Sequence, residues 1–121
     1  GYDKFTEMAV SFYHVWKIIT EKTPNDVIVY FLHHIKTADD GKVKAKTVGK
    51  MLDEKLTVEG LFSIVLLCRT DGTRHYFETQ SNGLTPTKSP MGMFDGEIDN
   101  DLKMVDTTIR DYYNLGGISH E

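Results

Sequence analysis

Two sets of cations carry the chemistry this chain offers. Lys88 stands alone between Pro86 and Pro90 in a long polar loop from Thr79 to Phe94, and Lys42, Lys44 and Lys46 alternate along one short stretch. An isolated ammonium on a Pro-flanked, Gly-containing loop can reach a phosphate of a neighbouring subunit or of a nucleic acid strand. A solvated loop charge fits the same residue. Alternating lysines in a strand share one face and can line up along phosphates. The same pattern also protects an exposed edge strand against aggregation. His33-His34 closes an apolar run, the strand-end position at which open α/β sheets bind ligands, although strand-end histidines without a ligand fit it too.

The other constellations are incomplete. Asp95, Glu97, Asp99 and Asp101 have the alternate spacing of a calcium loop, but Asn100 stands where the loop needs glycine and Asp106 where it needs glutamate. The histidines His14, His33, His34, His75 and His120 lack zinc spacing, and one cysteine cannot complete a thiolate site. That cysteine, Cys68, follows Leu66-Leu67 and is expected to be a buried, inert thiol. No Gly-x-Ser-x-Gly elbow and no Gly-x-x-x-x-Gly-Lys-Ser/Thr loop occurs, so neither an esterase nucleophile nor a phosphate cradle is encoded. The chain holds no metal set, no catalytic residues and no complete machinery for ATP hydrolysis.

The elements that must position these residues follow from periodicity. Phe5, Met8, Phe12, Val15, Trp16 and Ile19 recur at helical spacing, and Thr23-Pro24-Asn25-Asp26 ends that helix. Val27-Ile28-Val29-Tyr30-Phe31-Leu32 runs without a polar break, the pattern of a central strand buried on both faces. Asp39-Asp40-Gly41 between extended segments predicts a protruding β-ribbon that carries the alternating lysines. Thr47 caps a short expected helix with Val48, Met51, Leu52 and Leu56 inside and Lys50 toward solvent. Leu61 to Cys68 reads as a second buried strand, and Thr70-Asp71-Gly72-Thr73 turns into an edge strand from Arg74 to Thr79. After the long loop, Ile98, Leu102, Val105, Ile109 and Tyr112 form the stripe of a last helix, capped by Asp99 or Asn100 and stopped by Gly116-Gly117.

At 121 residues the chain makes a single domain with room for a core. With 40% hydrophobic and 26% charged residues its composition is that of a globular protein. A formal charge of −4 excludes attraction of the whole surface to nucleic acid, so such binding needs a local patch. A lone cysteine, no apolar run of membrane-spanning length and no signal-peptide pattern point to a cytoplasmic setting. The start at Gly1-Tyr2-Asp3, without methionine, is expected of a processed product, a tag remnant or a piece of a longer polypeptide.

An ordered set of segments carries a resemblance. Gly1-Tyr2-Asp3-Lys4-Phe5-Thr6-Glu7, Val29-Tyr30-Phe31-Leu32-His33-His34, Lys46 to Lys55, Glu59-Gly60-Leu61-Phe62, Thr79-Gln80, Lys88-Ser89-Pro90-Met91-Gly92-Met93-Phe94 and Ile98 to Leu102 together resemble the C-terminal half of phage-encoded RecA-like, AAA-type ATPases of recombination modules. The resemblance implies an α/β fold: a partial RecA-like, P-loop NTPase-type sheet of about three to five strands, with flanking helices and a β-ribbon. It implies a non-catalytic part of an ATP-binding recombination protein whose Walker A lysine and Walker B acid lie upstream. ATP and Mg would belong to the complete protein, with ATPase activity only if such a half is supplied. By position, His34 would sense the nucleotide phosphate and Lys88 would reach a neighbouring subunit. Lys42, Lys44, Lys46 and Lys50 would lie near single-stranded DNA.

The rival expectation is a stand-alone truncated phage protein that binds a protein partner, for instance a host defence complex, through its acidic last helix. Missing sheet neighbours would leave an open strand edge, for which self-association is the expected remedy.

Overall fold

The structure, a computed structural model, describes residues 2–46 and 58–115, with side chains from Glu7 onward. The fold is mixed α/β. Among the described residues it has two helices, α1 (Tyr2–Lys22) and α2 (Leu102–Tyr113), and two small antiparallel sheets. The first sheet is a ribbon of β1 (Ile35–Thr37) and β2 (Val43–Ala45); the second has the order β3 (Leu67–Asp71), β4 (Arg74–Glu78), β5 (Glu97–Asp99). A 3-10 turn at Val58–Leu61 lies between the sheets.

The local rules that make the hairpins are visible at two glycines. Gly41 and Gly72 both sit at φ +84, a backbone region that side-chain-bearing residues avoid. They close the ribbon and the β3–β4 hairpin, in which Asp71 pairs with Arg74 and Leu67 with Glu78. β4 is therefore the central strand, not the expected edge, because Tyr76, Phe77 and Glu78 pair on their other side with Asp99, Ile98 and Glu97.

The core is where this sheet meets α2. Phe77, Met93, Val105 and Ile109 are buried together, with Ile28, Ile64, Leu66, Phe94 and Ile98 packed around them. Each such side chain removed from water contributes about 1.5–3 kcal/mol, so this cluster anchors the second half of the chain. Asp101 caps α2 by accepting from the Lys103 and Met104 N–H groups, and Asn114 closes it in a left-handed conformation. Capping thus falls later than the expected Asp99 or Asn100, because Glu97 to Asp99, including Ile98 of the anticipated helical stripe, are taken up as β5.

Two expectations of buried strands are corrected. Residues 27–33 belong to no helix or strand, and Val27, Val29, Tyr30 and Leu32 are exposed. Only Ile28 and Phe31 of this apolar run are half-buried. Ile28 packs on the α2 cluster, while Val27, Val29 and Phe31 line a groove with Trp16 and Ile19 of α1. Of the run from Leu61 to Cys68, only Leu67 and Cys68 enter β3, and Val65 makes an isolated bridge to Lys88. Cys68 is exposed, since its antiparallel strand is covered on one face and Leu67 takes the inward position. Every strand pair among the described residues is antiparallel. The helix expected from Thr47, with Lys50, and the Gly116-Gly117 stop lie outside the described residues.

Candidate nucleic-acid interface

Directly opposed residues of an antiparallel pair present their side chains on the same face. In the ribbon Lys36 faces Lys44, Ile35 faces Ala45 and Thr37 faces Val43. The ladder extends one step at each end: Lys46 N–H donates to His34 O at 2.7 Å and Ala38 N–H donates to Lys42 O at 2.8 Å. Alternation then puts Lys42, Lys44, Lys46, Lys36 and His34 on one face. Lys42, Lys44, Lys46 and His34 are exposed and Lys36 is half-buried. The opposite face carries Val43 and Ala45, both half-buried, with Ile35 and Thr37.

The ribbon is held by the outer edge of β2. Val43 N–H donates to Leu84 O at 2.7 Å, and Ala45 N–H donates to Glu59 Oε2 at 2.8 Å. One partner lies in the Thr79–Phe94 loop and the other in the 3-10 turn, so both hold β2 by its edge and leave the lysine face exposed. At the tip, Asp40 Oδ1 accepts from the Lys42 N–H, which orders the turn.

The long loop is itself ordered from within. Thr79 is fully buried; its N–H donates to Gly96 O at 3.1 Å and its hydroxyl to Asp95 O at 2.5 Å. Ser89 Oγ donates to Thr79 O, Tyr112 Oη donates to Met91 O, and Met93 sits in the core. Lys88 exchanges both backbone bonds with Val65, at 2.9 and 3.0 Å, while the residue remains exposed.

His34 begins the ribbon instead of ending a laddered strand, and its bonded atom is its carbonyl oxygen. Loop and ribbon meet through the Leu84 and Val43 backbones. The partners that sequence reasoning missed on the basic face are Lys36 and His34, which counting outward from the Asp-Gly turn would have placed opposite Lys44 and Lys46.

Among the described residues no group of three or more His, Cys, Asp or Glu side chains is placed to hold a metal ion. Asp101, part of the acidic group, is committed to capping α2. Arg110 is held protonated above its ordinary range, chiefly by the Asp106 carboxylate at 2.7 Å, and ties α2 to Asp26 O. No described helix is long and apolar enough to cross a membrane. No family model, no curated protein and no solved structure matches this chain.

Proposed function

We propose that this chain is a non-catalytic module that contacts the phosphates of single-stranded DNA through the lysine face of the β1–β2 ribbon. The observation that carries it is the register: Lys42, Lys44 and Lys46 fall in line on one exposed face, with Lys36 directly opposite Lys44. Successive lysines on that face step by about 7 Å along the strand. An unpaired strand, whose backbone torsions adjust, can meet such a row one phosphate at a time. The acidic balance of the chain confines the attraction to the ribbon.

The reading keeps the DNA-contact role implied by the resemblance to phage RecA-like recombination proteins. In that setting the chain supplies no ATP site of its own, Lys88 would contact a neighbouring subunit, and the intact protein would work in the cytoplasm of a phage-bearing cell. The parallel sheet of a RecA-like core draws no support from the described strands. The test is fluorescence anisotropy with a labelled single-stranded oligonucleotide. Replacing Lys42, Lys44 and Lys46 together by alanine should weaken binding about tenfold or more at low salt; a triple variant that binds like the parent sinks the proposal.

A further inference from the structure

The tip of the long loop joins the chain's one asparagine-glycine step to the contact that holds the ribbon. Asn82 and Gly83 are both exposed, and Gly83 sits at φ +98 with nothing within 4 Å of where a Cβ would stand. Asn82 Oδ1 accepts from the Leu84 N–H at 3.0 Å, and Leu84 O in turn accepts from the Val43 N–H at 2.7 Å. The Asn82 amide therefore orders the turn that presents the ribbon's anchor. Among the other asparagines, Asn25 and Asn100 precede aspartates and Asn114 precedes a leucine. Only after Asn82 does the following main-chain nitrogen belong to a residue with no side chain to hinder its approach to the amide.

We propose that Asn82-Gly83 is a site of spontaneous deamidation whose isoaspartate product releases the ribbon from the loop. The Gly83 nitrogen gives up its proton to hydroxide and bonds to Asn82 Cγ. The Cγ–Nδ2 bond then breaks and ammonia leaves with a proton from water, closing a succinimide ring. The Leu84 N–H already points at Oδ1, the atom on which negative charge grows in that step. The opposing element is Ser81, whose Oγ accepts from the Gly83 N–H at 2.9 Å while donating to Thr85 O at 2.6 Å, so that bond has to open first. Water next cleaves the ring at one of its two carbonyls. Cleavage at Cγ leaves aspartate, whose carboxylate still accepts from the Leu84 N–H. Cleavage at the main-chain carbonyl leaves isoaspartate, in which the backbone is lengthened by Cβ and the side-chain acceptor for Leu84 is gone. Leu84 O is then no longer held toward Val43. Asp40-Gly41, Asp71-Gly72 and Asp95-Gly96 offer the same kind of nitrogen but a carboxylate, which is a poorer electrophile than an amide.

The test is incubation of the full chain in mildly alkaline buffer, followed by peptide mapping in a mass spectrometer with fragmentation that tells aspartate from isoaspartate. The expected result is that the mass gain of an amide turned acid concentrates at Asn82, with isoaspartate among its products. Asn82→Gln, whose longer side chain would have to close a larger ring, should abolish that gain. In the separated isoaspartyl form the Val43 amide should exchange its hydrogen about tenfold faster, as for the loss of one hydrogen bond. Asn82→Asp, which stands for the other product, should keep Val43 near the parent rate. An Asn82 that converts no faster than Asn25, Asn100 and Asn114 overturns the proposal. An isoaspartyl form in which Val43 exchanges at the parent rate overturns it as well.

Discussion

Lys44→Ala is the sharpest perturbation of the proposed interface. Lys44 sits at the middle of the basic face, opposite Lys36 and one alternate step from both Lys42 and Lys46. The residue is exposed and its side chain makes no hydrogen bond or ion pair among the described residues, so its loss should not disturb the ladder. If Lys42, Lys44 and Lys46 each neutralise one phosphate, the logarithm of the association constant should fall against the logarithm of salt with slope about −2.1, taking about 0.7 per contact on a single strand. Lys44→Ala should reduce that slope to about −1.4. Between about 50 and about 200 mM salt the parent would then lose about 18-fold in affinity and the variant about 7-fold. Anisotropy titrations across a salt series measure both. Lys103→Ala, on α2 and away from the ribbon, should leave the slope at the parent value. A Lys44→Ala slope equal to the parent's, or a Lys103→Ala slope that falls equally, would refute the assignment of the contact to this face.

Two further outcomes test the hydrogen bonds that secure the long loop and the start of α2. Thr79→Val removes a buried hydroxyl that serves Asp95 O while keeping the shape, and urea unfolding should show a loss of about 1–2 kcal/mol that Thr79→Ser largely avoids; equal losses for Val and Ser would mean that packing, not the hydrogen bond, secures the loop. Asp101→Ala leaves the Lys103 and Met104 N–H groups without their cap and should cost about 1 kcal/mol in the same assay, with Asp101→Asn recovering most of it.

The turns were legible because their chemistry is local. Asp-Gly at the ribbon and at the β3–β4 hairpin demands a positive φ that glycine alone accepts freely, and Gly41 and Gly72 supply it. The helices were legible because Val105 and Ile109 repeat at the period of a buried stripe. What failed was ladder membership. An unbroken apolar run such as Val27 to Leu32 suggests cover on two faces, yet only Ile28 and Phe31 are half-buried, and the run carries no information about whether another strand lies alongside. Cys68 failed for a related reason: a half-covered strand buries every second residue, and a run of hydrophobic letters hides which parity faces inward. The cap of α2 was off by a residue or two because Asp99, Asn100 and Asp101 are all competent caps, and pairing of β5 with β4 decides among them.

The Thr79–Phe94 loop changes role once its bonds are traced. Its length and its single lysine suggest a contact loop, but its backbone is spent on structure. Lys88 bridges Val65, Met93 fills the core beside Phe77, Ser89 and Thr79 tie its ends, and Leu84 O holds β2. A binding face is useful only if its charges are held in register, and a ribbon of two three-residue strands is too short to stand alone in water. The loop supplies the missing support from one side and Glu59 from the other. The cation that drew attention to the loop is then secondary to a carbonyl four residues before it. Leu84 O holds the Val43 N–H in the ribbon that carries Lys42, Lys44 and Lys46, and Asn82 Oδ1, accepting from the Leu84 N–H, orders the turn that presents it.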